Sequence, residues 1–361
     1  MSFKSVLNNL NKGFLIFGIG CTNYGQRYFK TNGMFHFLRF LLVSVGIHQF
    51  YRFNKWLSII DQEVNEVTSL VIITCYEFMF IGTFIAIVWR IFYDKKLSII
   101  LTKIEKIHEK LIRLNVARPM KTIMNWFFII GITLHVIANI TIILLWIKID
   151  NTNLSVTDML SWMCLVVSGC SSFYEYILLI LYIRWMVYMA NENISERKSC
   201  FITFRDMYLE VIECLNDVNN SIYGLPVILA YITGNICDII ITIYSDMLFP
   251  RDYSKNDGYY SAFAIIELLL KTANVIILYG VGHITEKEVN RISFVLHQRS
   301  VIERNPRIKR QIKIFILRRL HEFYRFELYG ICQINLRKLL SLVNKTFAYL
   351  LIQIMFKLNK K

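Results

Sequence analysis

The run WFFIIGITLHVIANITIILLWI, residues 126–147, decides how the rest of the chain is read. It contains no Asp, Glu, Lys or Arg. A helix of about 20 apolar residues crosses a hydrocarbon core of about 30 Å, and in lipid each backbone N–H and C=O must find its partner inside the helix. The run is therefore a membrane span. Residues 35–51, 69–89, 162–183, 225–247 and 260–284 meet or approach the same standard. A seventh stretch, 339–356, is shorter and carries Asn344, Lys345, Thr346 and Gln353. Polar groups of that kind are costly against lipid, so this helix is either no span or one that faces water or protein.

Composition agrees. Of 361 residues, 55% are hydrophobic and 19% charged, above the roughly 45–50% apolar content of soluble domains. The formal charge of +15 does not point to nucleic acid, because the bases alternate with apolar runs instead of clustering on a polar domain. They follow membrane topology. The segments that alternate from the N-terminus hold 30 Lys and Arg, the opposite set holds 8, and 3 lie in spans. Basic loops stay in the cytosol, which places the N-terminus there. Seven spans put the C-terminus outside, which places Lys357, Lys360 and Lys361 there against this rule. Four of the eight cysteines sit in apolar runs, and all are read as reduced small hydrophobes. Asn153 heads the one glycosylation sequon in an expected outer loop.

Orientation excludes a G-protein-coupled receptor, whose N-terminus is outside; neither a DRY-like triplet nor an NPxxY stands where that class needs it. The four prolines, at 119, 226, 250 and 306, lie in loops or at span ends, so the spans are expected to run unbroken, unlike the broken helices at which transporters bind substrate. Enzyme signatures fail singly. His108-Glu109 and His321-Glu322 lack the second histidine of a zinc helix, and Gly18-Ile19-Gly20 lacks a third glycine. No catalytic residue, metal or cofactor is expected.

Two loops carry helical stripes. Leu97, Ile100, Ile104, Ile107, Leu111 and Leu114 keep a heptad-like spacing in the second, and Phe204, Tyr208, Val211, Leu215, Val218 and Ile222 in the fourth. Each stripe packs either inside the subunit or between subunits. The sixth loop, 285–338, is the longest and most basic, and a run of that kind attracts anionic lipid as well as marking the inner side. Inside spans lie Glu77, Glu175, Asp238, Glu267 and Lys271, each needing a partner or water. Glu267 and Lys271, four apart, can pair on one helix face. Glu77, Asp238 and Glu267 fall at midplane or in the outer half, where they are candidates to line a ligand pocket. His48 and His135 are expected to be ordinary satisfied helix residues.

The tail reads Thr346, Phe347, five residues from 348 to 352, then Gln353 and Ile354, preceded by Tyr329, Gly330, Ile331, Cys332 and Leu336. It resembles the end of the insect gustatory receptors, whose seventh span carries Thr-Tyr, five apolar residues and Gln-Phe after a Gly-rich approach helix. Phe347 replaces the Tyr and Ile354 the Phe. The detailed resemblance covers mainly residues 323–356, and the seven-span architecture extends it over the chain.

The resemblance implies a plasma-membrane, ligand-gated, non-selective cation channel of sensory neurons, with a small-molecule tastant as ligand. It implies a homo- or hetero-tetramer with related receptors in the lipid bilayer, with residues 1–284 sensing ligand, 285–338 forming a cytosolic anchor and 339–361 carrying the pore helix. Thr346, Leu350, Gln353 and Lys357 recur every three or four residues, one stripe of a helix. Family likeness gives Thr346, Leu350, Gln353 and Ile354 the pore and gate. An odorant-type relative, a transporter-like protein and a seven-span signalling protein are the alternative readings.

Overall fold

The computed structural model describes residues 37, 40, 41, 43–48, 51, 66–114, 123–149, 156–196, 201–243, 257–321 and 323–358. The N-terminal segment, Asn153 and part of the first expected span lie outside the described residues. The fold is helical. Helices α1 (Glu66–Arg113), α2 (Ile123–Ile149) and α3 (Val156–Glu196) are followed by α4 (Phe201–Asp217), a π-helical turn (Val218–Ile222), α5 (Gly224–Val227), a second π-helical stretch (Ile228–Gly234) and α6 (Asn235–Ile241). Then come α7 (Asp257–Asn290), α8 (Ile292–Ile302), α9 (Pro306–His321), a hairpin of β1 (Glu327–Leu328) and β2 (Cys332–Gln333), and α10 (Leu336–Leu358). Four stretches among the described residues are long and apolar enough to cross a membrane: Ser172–Ser195, Gly224–Ile241, Ser261–Ile302 and Leu336–Phe356.

The second expected span and the stripe of the loop after it form one helix, α1, of 48 residues, about 72 Å long at 1.5 Å per residue. Its periodicity changes part-way. Beyond Leu97 the buried positions are Leu97, Ile100, Leu101, Ile104, Ile107 and Leu111, with Lys103, Lys106 and Lys110 turned outward. Helix α4 answers with Phe204, Tyr208, Val211 and Leu215, all buried. Helices α1 and α4 pack on each other and on α3, and Lys110 bonds Glu210 across them at 3.1 Å. Both stripes are thus satisfied inside one subunit.

Buried apolar residues concentrate where α1, α3, α4, α7, α8 and α9 meet, around Tyr176, Tyr182, Phe201, Phe204, Tyr208, Leu296 and Phe326. Elsewhere α2 and α7 leave Ile130, Leu134, Ile137, Leu144, Ile265 and Leu269 exposed. Water drives apolar side chains inward at the polar end, whereas lipid leaves them nothing to gain by burial.

The fifth span departs from the unbroken helix expected of it. Tyr223 N–H donates to Val218 O, five residues back, and Pro226 has no N–H to offer. Ser221 Oγ also donates to Asp217 O. The backbone therefore winds wide at two places, which frees the Asn219 carbonyl for another partner.

Candidate functional site: an intramembrane ion pair and the strap before the last helix

Helices α2, α3, α6 and α7 bring polar side chains together between apolar runs. Lys271 Nζ on α7 donates to Asp238 Oδ2 on α6 at 2.7 Å. The Asp238 side chain is 7% exposed and that of Lys271 21%, so the carboxylate is almost wholly removed from solvent while the ammonium keeps an open side. A buried charge survives only when paired. Asn235 and Thr242, within one turn of Asp238, and Asn274, within one turn of Lys271, are buried, as are His135 and Asn139 on α2. The His135 ring meets Tyr174 of α3 edge-on, centroids 5.8 Å apart, and Asn139 Nδ2 donates to the His135 carbonyl at 2.8 Å.

Sequence spacing singled out Glu267 as a partner for Lys271, and the structure gives Lys271 a bond to Asp238 that crosses between helices. Glu77 and Glu267 are half-buried on α1 and α7, and Glu267 is engaged within the fold. Tyr174, Asn235 and Asn274 were missed. Asn235 lies three residues before Asp238 and Asn274 three after Lys271, which puts each beside its charged neighbour on one helix face; that spacing was the available signal.

The second part of the site is a strap, residues 323–335. An approach helix was expected here and a hairpin is found. Tyr329 and Gly330 take positive φ, 53° and 68°, and Ile331 N–H donates to Leu328 O at 3.0 Å, which closes a three-residue loop between the strands. Glu327 pairs with Gln333 and Leu328 with Cys332. Its hydrogen bonds are long-range. Asn290 grips the Tyr324 backbone with both ends of its amide, Nδ2 to Tyr324 O at 2.8 Å and Oδ1 from Tyr324 N–H at 3.0 Å. Phe326 N–H donates to Glu286 Oε2 at 3.0 Å, and Tyr329 N–H donates at 3.1 Å to the Asn219 carbonyl freed by the π turn.

Two glycines make room for it. A Cβ on Gly224 would stand 2.0 Å from Asn219 O and 2.8 Å from Tyr329 N; one on Gly282 would stand 2.5 Å from Ile334 O. Burial pushes the Tyr324 phenol and the Cys332 thiol up from their ordinary ranges, so both remain neutral.

Helix α10 starts at once after the strap, with Asn335 capping it through Oδ1, which accepts Lys338 N–H at 3.0 Å. It packs on α7. Leu339 and Leu342 lean on the core, Thr346 and Ile354 are half-buried, and Leu350 is covered at 7% exposure. The opposite side, Leu340, Val343, Phe347, Leu351 and Met355, is open, Phe347 at 62%. The Gln353 side chain lies outside the described residues. Within one subunit the Thr346–Leu350 stripe thus faces α7, and an apolar face is left for lipid or another subunit.

The profile of the family described as "7tm Chemosensory receptor" matches residues 9–360. Among solved structures, the insect olfactory receptor OR5 from Machilis hrabei superposes with a TM-score of 0.73 at 10% identity, covering 97% of each chain. The same receptor in complex with eugenol gives 0.68 at 9% identity over 98% of each. No curated protein matches the sequence.

Proposed function

The chain belongs to the 7tm chemosensory receptor family, and within it we propose a gustatory-type receptor that is itself a ligand-gated cation channel. A tastant binds among the spans before α10, beside the Asp238–Lys271 pair, with Glu77 and Glu267 as further candidate contacts. Four subunits, identical or related, set their α10 helices around a common axis in the plasma membrane of a sensory neuron. The N-terminus lies in the cytosol, as the 30-to-8 division of basic residues indicates.

One observation carries this reading. Helix α10 is long enough to span a membrane, yet most of its described side chains are exposed, and its sequence carries the polar residues Thr346 and Gln353 seven apart. Such a helix is suited to assembly, and its polar positions to water. Thr346, Leu350, Gln353 and Ile354 form the gate. At rest Leu350 is covered by its own subunit; opening turns α10 about its axis, brings Thr346 and the Gln353 amides to the pore, and removes the hydrophobic constriction that closes it by dewetting. Because α10 is joined to the bundle by the strap, ligand-induced movement of α7 reaches it through Glu286 and Asn290.

The test is membrane current in cells lacking G-protein coupling, screened against sugars, bitter compounds and amino acids, with and without co-expressed relatives. Cysteine at Thr346 or Leu350 is expected to react with a charged thiol reagent mainly while agonist is present, and block of the pore to abolish the response. Current that persists when G-protein signalling is removed but is insensitive to modification anywhere on α10 would place the pore elsewhere.

A further inference from the structure

A groove of about 990 Å³ opens between α4 and the segment leading from α9 into the strap. Its two walls differ in kind. On α4 stand Asp206, Glu210 and Glu213, already matched by cations: Asp206 with Arg205 at 2.7 Å, Glu210 with Lys110 at 3.1 Å, and Glu213 with Lys103 at 3.9 Å. Opposite stand Arg318, Arg319 and Arg325, and of the three Arg319 is the buried one. Arg319 is 7% exposed, and its Nε is sealed from solvent without an acceptor. Among the described residues no carboxylate pairs with it. Its guanidinium lies 5.7 Å over the Tyr208 ring, a contact that offsets part of the desolvation but supplies no negative charge.

A buried cation without a counterion is costly. An anion from outside would supply the missing charge, and guanidinium is the side chain that binds phosphate oxygens two at a time. We propose that the groove is a binding site for a multiply charged phosphate-bearing anion of the inositol phosphate kind, free or as the headgroup of an inner-leaflet lipid. Arg319 is its buried anchor and Arg325 its exposed contact, with the α4 acids, already neutralised, forming the far wall. Glu327 of β1 and Tyr324 of the strap also line the groove, so an occupant bridges α4 to the segment that carries α10.

The experiment uses the full chain, purified in detergent and separately reconstituted in nanodiscs. Inositol hexakisphosphate is the soluble probe; bilayers with or without phosphatidylinositol bisphosphate test the lipid source. Wild type is expected to bind in at least one arm, seen as a salt-sensitive rise in thermal stability, and Arg319→Gln to weaken that binding roughly tenfold without losing stability in the absence of probe. Should Arg319→Gln not fold, Arg325→Gln, at an exposed position, carries the same expectation. Stabilisation by hexakisphosphate alone assigns a soluble ligand, and stabilisation by the lipid alone assigns a headgroup. Binding in neither arm, or binding unchanged by the substitutions, overturns the site. An Arg319→Gln protein that is destabilised yet binds as wild type makes Arg319 a structural tie to Tyr208.

Discussion

Gly280 and Gly282 stand two residues apart in the last third of α7, and alanine at the two positions is expected to act in opposite directions. Glycine inside a helix costs about 1 kcal/mol relative to alanine, so each substitution gains that much from the backbone. At Gly280 nothing lies within 4 Å of the added methyl, and the gain stands. At Gly282 the methyl would meet Ile334 O at 2.5 Å and Ile334 Cγ2 at 2.7 Å, nearly 1 Å inside ordinary contact. The obstacle is backbone, so it cannot swing aside; the strap must lift. Overpacking of this kind costs about 1–3 kcal/mol. Displacing Ile334 also strains its N–H bond to Phe326 O, 2.9 Å long and worth about 1 kcal/mol. Gly282→Ala is thus destabilising by about 1–3 kcal/mol net, while Gly280→Ala is stabilising by up to about 1 kcal/mol. Thermal unfolding of both variants in the same detergent, followed by intrinsic fluorescence, measures the difference. Equal midpoints would mean that the strap does not sit on α7 at Gly282, and the route from α7 to α10 would lose its support.

Two further outcomes follow from burial. Lys271→Met strands the Asp238 carboxylate and is expected to cost about 3–5 kcal/mol, whereas Asp238→Asn leaves Lys271 one turn from Glu267 and costs less; unfolding midpoints in the reverse order refute the assignment of Asp238 as the buried member. Cys214 is buried, and desolvation pushes its thiol up to about 12. It is therefore expected to resist a maleimide reagent at pH 8 in the folded protein and to react after denaturation. The stability it contributes is full below the ordinary thiol range and is lost as pH rises through that range toward about 12. Rapid labelling of the native thiol, checked by mass spectrometry, would contradict its burial.

The helical stripes were legible because local spacing alone determines them. Leu97 to Leu111 and Phe204 to Ile222 declare a buried face by periodicity, and both are buried as that periodicity requires. Which surface would cover them was not legible, since an intramolecular and an intersubunit contact ask for the same pattern. Charges inside apolar runs marked Asp238 and Lys271 as consequential, but a separation of 33 positions hid their bond. The hairpin was the largest surprise. Its turn puts a tyrosine, not a glycine, at the first positive φ, and its backbone partners Asn219, Glu286 and Asn290 are 34 to 110 residues away. Nothing local distinguishes such a strap from the start of a helix. Few prolines suggested unbroken spans, yet Pro226 sufficed, together with a carbonyl claimed from outside, to open the fifth one into π turns.

The continuity of α1 has a mechanical consequence. A single rod about 72 Å long has no joint between the bilayer and the aqueous end, where Lys103 and Lys110 fasten it to α4. Tilting it by about 5° about one end carries the other through about 6 Å. Small displacements at membrane depth are therefore magnified at the far end, with the same geometry running in reverse: whatever clamps the aqueous tip of this lever also steadies its other end.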